Sequence, residues 1–343
     1  MTTPQQHVSV ALATYNGARF LPMQLASLAS QKALPLELVV VDDGSTDSTL
    51  QIVEQFSASA PFPVRIFKNA DRLGYRRNFM RAAELCSGEL ISFCDQDDIW
   101  TDDKLVRTIG EFRDHKVLLV YHNARLIDAK GKASGHVFPR SKKSAILSHQ
   151  DVEPWRIVPG FSQAIRRSLL RYSNLYEQSL DMFDLEERMP HDQWFLFLAS
   201  ALGKISYISE PLALYRQHDS NTSGWLPAKP LAFAVHNIAY ASYYVRASYN
   251  SLQNRIELLK AMKAGLPSSQ HAEIDAVLAH YSHVSEYVKR RLDLYTAKSV
   301  RVRARLLWSM IRNRTYSDEK VKFGRGSFLL DTVIGVPVGH TLR

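Results

Sequence analysis

Apolar and polar positions follow two rhythms along the first third of the chain. Residues 8–13 form an apolar run of strand length, and residues 20–31 then place Leu21, Leu25 and Leu28 at helical spacing. The pairing repeats. Residues 37–41 read as a second strand that ends on Asp42-Asp43-Gly44-Ser45, and Leu50, Val53 and Phe56 give residues 46–56 a helical pattern. Residues 64–67, 75–86, 90–93 and 101–112 continue as strand, helix, strand and helix, with Thr101 expected as the N-cap of the last. Strands alternating with helices imply a mainly parallel sheet covered on both faces, an α/β, Rossmann-like architecture.

The alternation weakens afterwards. Residues 118–121, 162–165 and 204–208 are expected strands and residues 190–201 an expected helix. From about Pro230 the pattern turns helical, over 232–264 and 269–312, with Gly265-Leu266-Pro267 between. The expected organisation is an α/β domain over 1–229, in halves 1–115 and 116–229, and a helical C-terminal extension over 230–343.

Composition narrows the class. With 45% hydrophobic and 10% aromatic residues, the 343-residue chain can build a core, and nothing in it suggests disorder. Cys86 and Cys94, the only cysteines, lack metal or redox spacing and read as reduced thiols of a cytosolic protein. Residues 1–7 are polar, so no signal peptide is expected, and no apolar run has spanning length. The net charge of +9 is local: residues 289–325 hold twelve Lys or Arg against three acids. On a helical wheel Val300, Ala304, Leu307 and Ile311 share a face, Trp308 lies at its edge, and Lys298, Arg301, Arg305 and Arg312 cluster beside it. Such a helix suits an anionic membrane surface, or packs on protein. Beyond Trp308 and Tyr316 no aromatic platform interleaves the charge, so no nucleic-acid partner is expected.

The candidate chemistry collects at strand ends. The strand over 90–93 runs into Asp95-Gln96-Asp97-Asp98, and side chains two apart there leave the same face. Carboxylates held together repel unless a cation lies between them, and oxygen-ligated Mn2+ or Mg2+ fits. Asp42-Asp43 either caps the following turn or offers a carboxylate to a base or ribose. Arg72, Arg76, Arg77 and Asn78 surround Gly74, where guanidinium groups suit a diphosphate or simply solvate a helix, and Lys104 is read in the same way. Asp192, beside His191 and after Pro190, either complements a helix dipole or acts as a general base. His218 is a surface histidine, a phosphate contact or a third metal ligand. Thr14, Asp42, Asp43 and residues 95–98 all fall beyond carboxyl ends of strands, where α/β sheets bind ligands. The absence of GxGxxG and Walker A patterns counts against dinucleotide and phosphate-loop folds, and the N-terminal loop of a nucleotidyltransferase is missing.

Taken together, Thr14-Tyr15-Asn16, Val40-Val41-Asp42-Asp43-Gly44-Ser45, Asn69-Ala70-Asp71-Arg72-Leu73-Gly74 with Asn78, Asp95-Gln96-Asp97-Asp98-Ile99-Trp100, His191-Asp192-Gln193-Trp194 and Tyr215-Arg216-Gln217-His218 resemble family 2 glycosyltransferases of the GT-A fold, over about residues 7–225. The Asp-Gln-Asp-Asp-Ile-Trp form is most similar to bacterial rhamnosyltransferases of surface polysaccharides. The resemblance implies an inverting, metal-dependent enzyme. Residues 1–115 would hold a nucleoside-diphosphate sugar through Thr14, Tyr15, Asn16, Asp42, Asp43, Arg76, Asn78, Asp95 and Gln96, and residues 116–229 the acceptor. Asp97 and His218 would bind Mn2+ or Mg2+, and Asp192 would be the catalytic base. The implied donor is dTDP-L-rhamnose, with a UDP-sugar (glucosyl, galactosyl or N-acetylhexosaminyl) as alternative. The implied acceptor is a saccharide or lipid-linked glycan such as lipopolysaccharide, reached from the cytoplasmic face of the inner membrane. A catalytically silent glycan-binding or scaffold protein is the rival reading.

Overall fold

In a computed structural model, residues 7–138, 143–219, 221, 241–318 and 324–338 are described. The chain forms two compact units. The first comprises residues 1–148, 157–174 and 190–225, and the second residues 149–156, 175–189 and 226–343. Two excursions, residues 149–156 and 175–189, thus group with the helical residues after 226.

The first unit is built on one ten-stranded sheet. In chain order its elements are β1 (Val8–Thr14), α1 (Leu21–Ala29), β2 (Glu37–Asp42), α2 (Thr49–Ser57), β3 (Val64–Lys68), α3 (Gly74–Leu85), β4 (Leu90–Cys94), β5 (Ile99–Trp100), α4 (Lys104–Glu111), β6 (Val117–Asp128), β7 (Ala133–Phe138), β8 (Ala145–Leu147), β9 (Gln163–Arg166), α5 (Ser173–Tyr176, its last two residues counted with the second unit), α6 (His191–Leu202) and β10 (Lys204–Gln217). The strand order is β3-β2-β1-β4-β9-β6-β10-β5, with β7 on β6 and β8 on β10. The run β3-β2-β1-β4 is parallel, as the alternation predicts, but β9 pairs antiparallel with both β4 and β6, so the sheet is mixed. The central strands are buried on both faces: Val10, Leu12, Val39, Val40 and Val41 have no exposure. This is why they read as near-continuous apolar runs.

Three local differences from the sequence reading matter. β10 runs for 14 residues, not five, because a register shift against β6 between Ile208 and Pro211 absorbs the proline. The N-cap of α4 is Asp103, not Thr101, whose hydroxyl instead donates to Asp103 Oδ1 at 2.9 Å. Within α6 every residue except Asp192 and Leu202 is buried, so the helix is apolar nearly all round.

The second unit carries helices Ala241–Ala264 and His271–Thr296, packed together across the expected Gly-Leu-Pro break, then Val300–Arg312. The beginning of the helix expected over 232–264 lies outside the described residues. Arg303 is fully buried and donates to the carbonyls of Ala297, Lys298, Val336 and Pro337. Arg291 makes two 2.8 Å bonds to buried Asp331, which also accepts from the Tyr316 hydroxyl at 2.6 Å. No helix among the described residues is long and apolar enough to cross a membrane.

Candidate active site

Parallel strands deliver their carboxyl ends to one edge, and the register fixes what meets there. Thr14 at the end of β1 stands opposite Asp42 at the end of β2, and Leu12 opposite Cys94, one residue before Asp95. Beyond this edge lies a cavity of about 350 Å³. Thr14, Tyr15, Asp43, Asn78, Asp95, Gln96, Asp97 and Asp192 all line it. Of the other residues singled out in the sequence, Asn16, Asp42, Arg76 and His218 sit behind or beside this lining.

Two aspartates at the end of β2 do different work. Asp42 accepts from the Thr14 hydroxyl at 2.9 Å and from the N–H groups of Gly44 and Ser45, which closes the turn that Gly44 makes at φ 84°. Asp43 faces the cavity and accepts from Asn69 Nδ2 and the backbone N–H groups of Leu73 and Gly74, all within 2.7–2.8 Å. Asn78 is a buried bracket: its Oδ1 accepts from Asn69 at 2.9 Å and its Nδ2 donates to Val41 O at 3.0 Å. Asn16, at φ 47°, accepts from Thr46 N at 2.8 Å and donates its own N–H to the Ser45 hydroxyl. Gln96 is likewise engaged inside the protein, accepting from Tyr15 N and donating to Tyr15 O, both at 3.0 Å. Among the arginines it is Arg72 that lines the cavity, with its guanidinium 3.9 Å from the Tyr15 ring centroid.

The acidic segment is joined to β10 by β5, whose Ile99 and Trp100 pair antiparallel with Leu214 and Ala213. This short pairing puts the Arg216 N–H 2.9 Å from Asp98 Oδ1 and Arg216 Nε 2.8 Å from Asp97 O. Two residues further along, His218 Nε2 lies 2.9 Å from Asp97 Oδ2. Carboxylate oxygens of Asp95, Asp97 and Asp98 lie within 4.8 Å of one another. Burial first, then Asp97 and Asp192, push the Asp95 carboxyl up to about 8, and burial, then Asp97 and Asp95, raise that of Asp98 well above the usual carboxylate range. Carboxylates held this close repel one another, and their oxygen donors with an adjacent imidazole fit Mn2+ or Mg2+.

Lys104 does not face a diphosphate. It is 1% exposed, sits 3.5 Å from the Trp100 ring centroid, and donates to Phe161 O at 2.7 Å. Burial pulls its ammonium down to about 7. It thereby ties α4 to residues 159–161, which line the opposite wall. Gln163, fully buried, holds the same wall to the start of α6 by donating to Val158 O and Asp192 O. His191 packs between Phe79 and Phe93, with ring centroids 4.0 and 4.8 Å away, and burial lowers its imidazole to about 3. A Cβ at Gly160 would stand 2.3 Å from His191 Nε2, so only glycine fits there. Gln163 and the Gly160–His191 contact were not legible as site features, and Lys104 was legible only as a diphosphate or surface cation, since each acts through a partner distant in sequence.

The comparisons with known proteins agree with this geometry. Residues 9–172 match the family described as glycosyl transferase family 2. The chain is 30% identical over 220 residues to an uncharacterized glycosyltransferase of Nostoc sp., covering 62% of this chain and 66% of that protein, just under two thirds of its length. It is 29% identical over 225 residues to the dTDP-rhamnosyl transferase RfbG of Shigella flexneri, covering 62% of this chain and 73% of the other. Among solved structures, S. aureus TarS 1–349 in complex with UDP-GlcNAc superposes with a TM-score of 0.54 at 18% identity, over 95% of this chain and 90% of that one. The mannosyltransferase PcManGT of Pyrobaculum calidifontis, solved with GDP-Man and Mn2+, gives 0.50 at 17% identity, over 98% and 88%. The α/β GT-A-like fold, the acidic cavity at the strand ends and the match of residues 9–172 thus make this chain similar to the family 2 glycosyltransferases and, more distantly, to a bacterial dTDP-rhamnosyl transferase.

Proposed function

We propose that the chain transfers a sugar from a nucleoside-diphosphate sugar to a hydroxyl of a saccharide acceptor, with inversion. The observation that carries this reading is the convergence of Asp43, Asp95, Asp97 and Asp192 on one cavity at the carboxyl edge of the sheet. In this reading Asp43 accepts from the base of the donor, and Thr14, Tyr15 and Arg72 flank the nucleotide. Asp192, half-buried at the start of α6 and lining the cavity, removes the proton of the attacking hydroxyl as the glycosidic bond to the diphosphate breaks on the opposite face. Asp97, with His218 beside it and Asp95 near, would hold the Mn2+ or Mg2+, which supplies positive charge against the diphosphate when bound. The Lys104 and Gln163 bonds keep the wall at residues 159–161 in register with Asp192.

For the donor we favour dTDP-L-rhamnose, supported by the similarity to the Shigella flexneri dTDP-rhamnosyl transferase. For the acceptor we favour a bacterial cell-surface glycan or lipopolysaccharide. Two buried cysteines outside any disulfide suit the reducing cytoplasm, where an acceptor carried on lipid would be met at the inner membrane. Thermal stabilisation by a panel of dTDP-, UDP- and GDP-sugars, with Mn2+, Mg2+ or EDTA, tests the reading. Metal-dependent stabilisation led by dTDP-rhamnose supports it. Preference for a UDP-sugar removes the rhamnose assignment, and no response to any nucleotide removes the donor site.

A further inference from the structure

The helix Val300–Arg312 has a side that the described residues leave exposed. Its inward side is Arg303, Leu307 and Met310, all buried. The face expected from the helical wheel is therefore split, with Leu307 turned inward and the rest outward. Val300, Ala304, Trp308 and Ile311 occupy one sector of the outer surface, with Arg301, Arg305 and Arg312 along its edge. All seven side chains are exposed, Trp308 by 62%, Val300 by 52% and Ile311 by 47%. The Arg312 guanidinium lies 5.5 Å from the Trp308 ring centroid. No acidic residue occurs between Asp293 and Asp318, and those two already pair with Lys289 and His283. An apolar stripe bordered by arginines, with no acid on the helix, complements a surface dense in negative charge above a hydrocarbon layer.

We propose that this face is a contact surface for an anionic lipid membrane, with the helix lying in the plane of the headgroups. Val300, Ala304 and Ile311 enter the boundary between headgroups and acyl chains, Trp308 sits at that boundary, and the arginines reach lipid phosphates. Thirteen residues span about 20 Å, too short to cross a bilayer. The surface lies wholly on the second unit, so the proposal goes beyond the sugar-nucleotide reading and does not depend on it.

Cosedimentation of the full chain with vesicles tests it. Phosphatidylcholine vesicles are compared with vesicles that also contain phosphatidylglycerol, at low and high salt. The expected result is binding to the anionic vesicles alone, weakened by salt. Trp308→Ser with Ile311→Ser should lower it, and Arg301→Glu, Arg305→Glu and Arg312→Glu together should lower it roughly a hundredfold or more. These side chains are exposed, so circular dichroism and stabilisation by sugar nucleotide should match the parent. Absence of binding by the parent, or equal binding by every variant, overturns the proposal. So does a parent dimer that Trp308→Ser with Ile311→Ser dissociates while vesicles leave it untouched, since the face then belongs to a second copy.

Discussion

His218 Nε2 lies 2.9 Å from Asp97 Oδ2, although 121 residues separate them in the chain. Neither loop alone makes this contact. It follows from the pairing of β5 with β10 and from the two Arg216 bonds to the acidic segment. Both side chains are only partly exposed, 18% for Asp97 and 10% for His218. Replacing either by alanine should abolish metal-dependent stabilisation by sugar nucleotide while the fold survives. Transfer should drop by about 10²–10³ for Asp97→Ala. Melting curves with and without Mn2+ check this, and an unchanged metal response in Asp97→Ala would refute the assignment.

Asp192→Asn keeps the size and polarity of the side chain and removes its basicity. The Gln193 N–H bond to Oδ1, 2.7 Å in length, can persist with the amide oxygen. The expected outcome is a fall in kcat of about 10²–10⁴ with donor binding intact. Single-turnover transfer and donor titration on the same variant separate the two quantities.

Gly160→Ala should disturb the wall of the cavity. The new methyl would meet His191 Nε2 at 2.3 Å, and the ring cannot swing aside because Phe79 and Phe93 enclose it. A cost of about 1–3 kcal/mol in stability is expected. In the double variant with His191→Ala the collision disappears, so the two effects should be strongly non-additive in denaturant unfolding. Simple additivity would show that the ring is not the obstacle.

Glu37 predicts an acid dependence. It is 4% exposed and accepts from Ser9, Ser87 and Arg65 within 2.7–2.9 Å. Burial works to raise its carboxyl, but Arg65, Ser87 and Ser9 outweigh it and bring it from 4.5 to about 2. The folded value is below the unfolded one, so this stabilisation is complete above about pH 4.5 and is lost as pH falls towards 2. Glu37→Gln should lower stability near neutrality by about 2 kcal/mol and flatten the decline between those limits. Urea unfolding across that range measures both.

The parallel half of the site is legible in the chain because its logic is local. Apolar runs end on Thr14, Asp42 and Asp95, and a parallel register must bring those ends together. Asp43 and Asp97 reach one cavity for the same reason, whereas Asp192 joins them from the first turn of α6. What escapes the chain depends on long-range pairing. β10 looks short because Pro211 hides its continuation across a bulge. Gln163 looks like an ordinary polar residue, and Lys104 like a diphosphate or surface cation, until Asp192 O and Phe161 O are seen to receive them. The helix near the C-terminus offers several apolar sectors, and a buried arginine, Arg303, marks the inward one against the usual ranking of side chains by burial.

The two excursions of residues 149–156 and 175–189 bear on how such a protein can be dissected. Pro154 O accepts from Arg255, Gln178 O from Asn254 at 2.8 Å, and Phe183 O from Tyr243 at 3.3 Å. A fragment ending at residue 229 would keep those carbonyls and lose every one of these donors, while the stretch bearing Gly160 and Gln163 is strung between the two excursions. The helical half is thus not a detachable cassette, and shuffling it between relatives by one crossover would leave orphaned loops behind. Exchange demands that residues 149–156, 175–189 and 226–343 be replaced together.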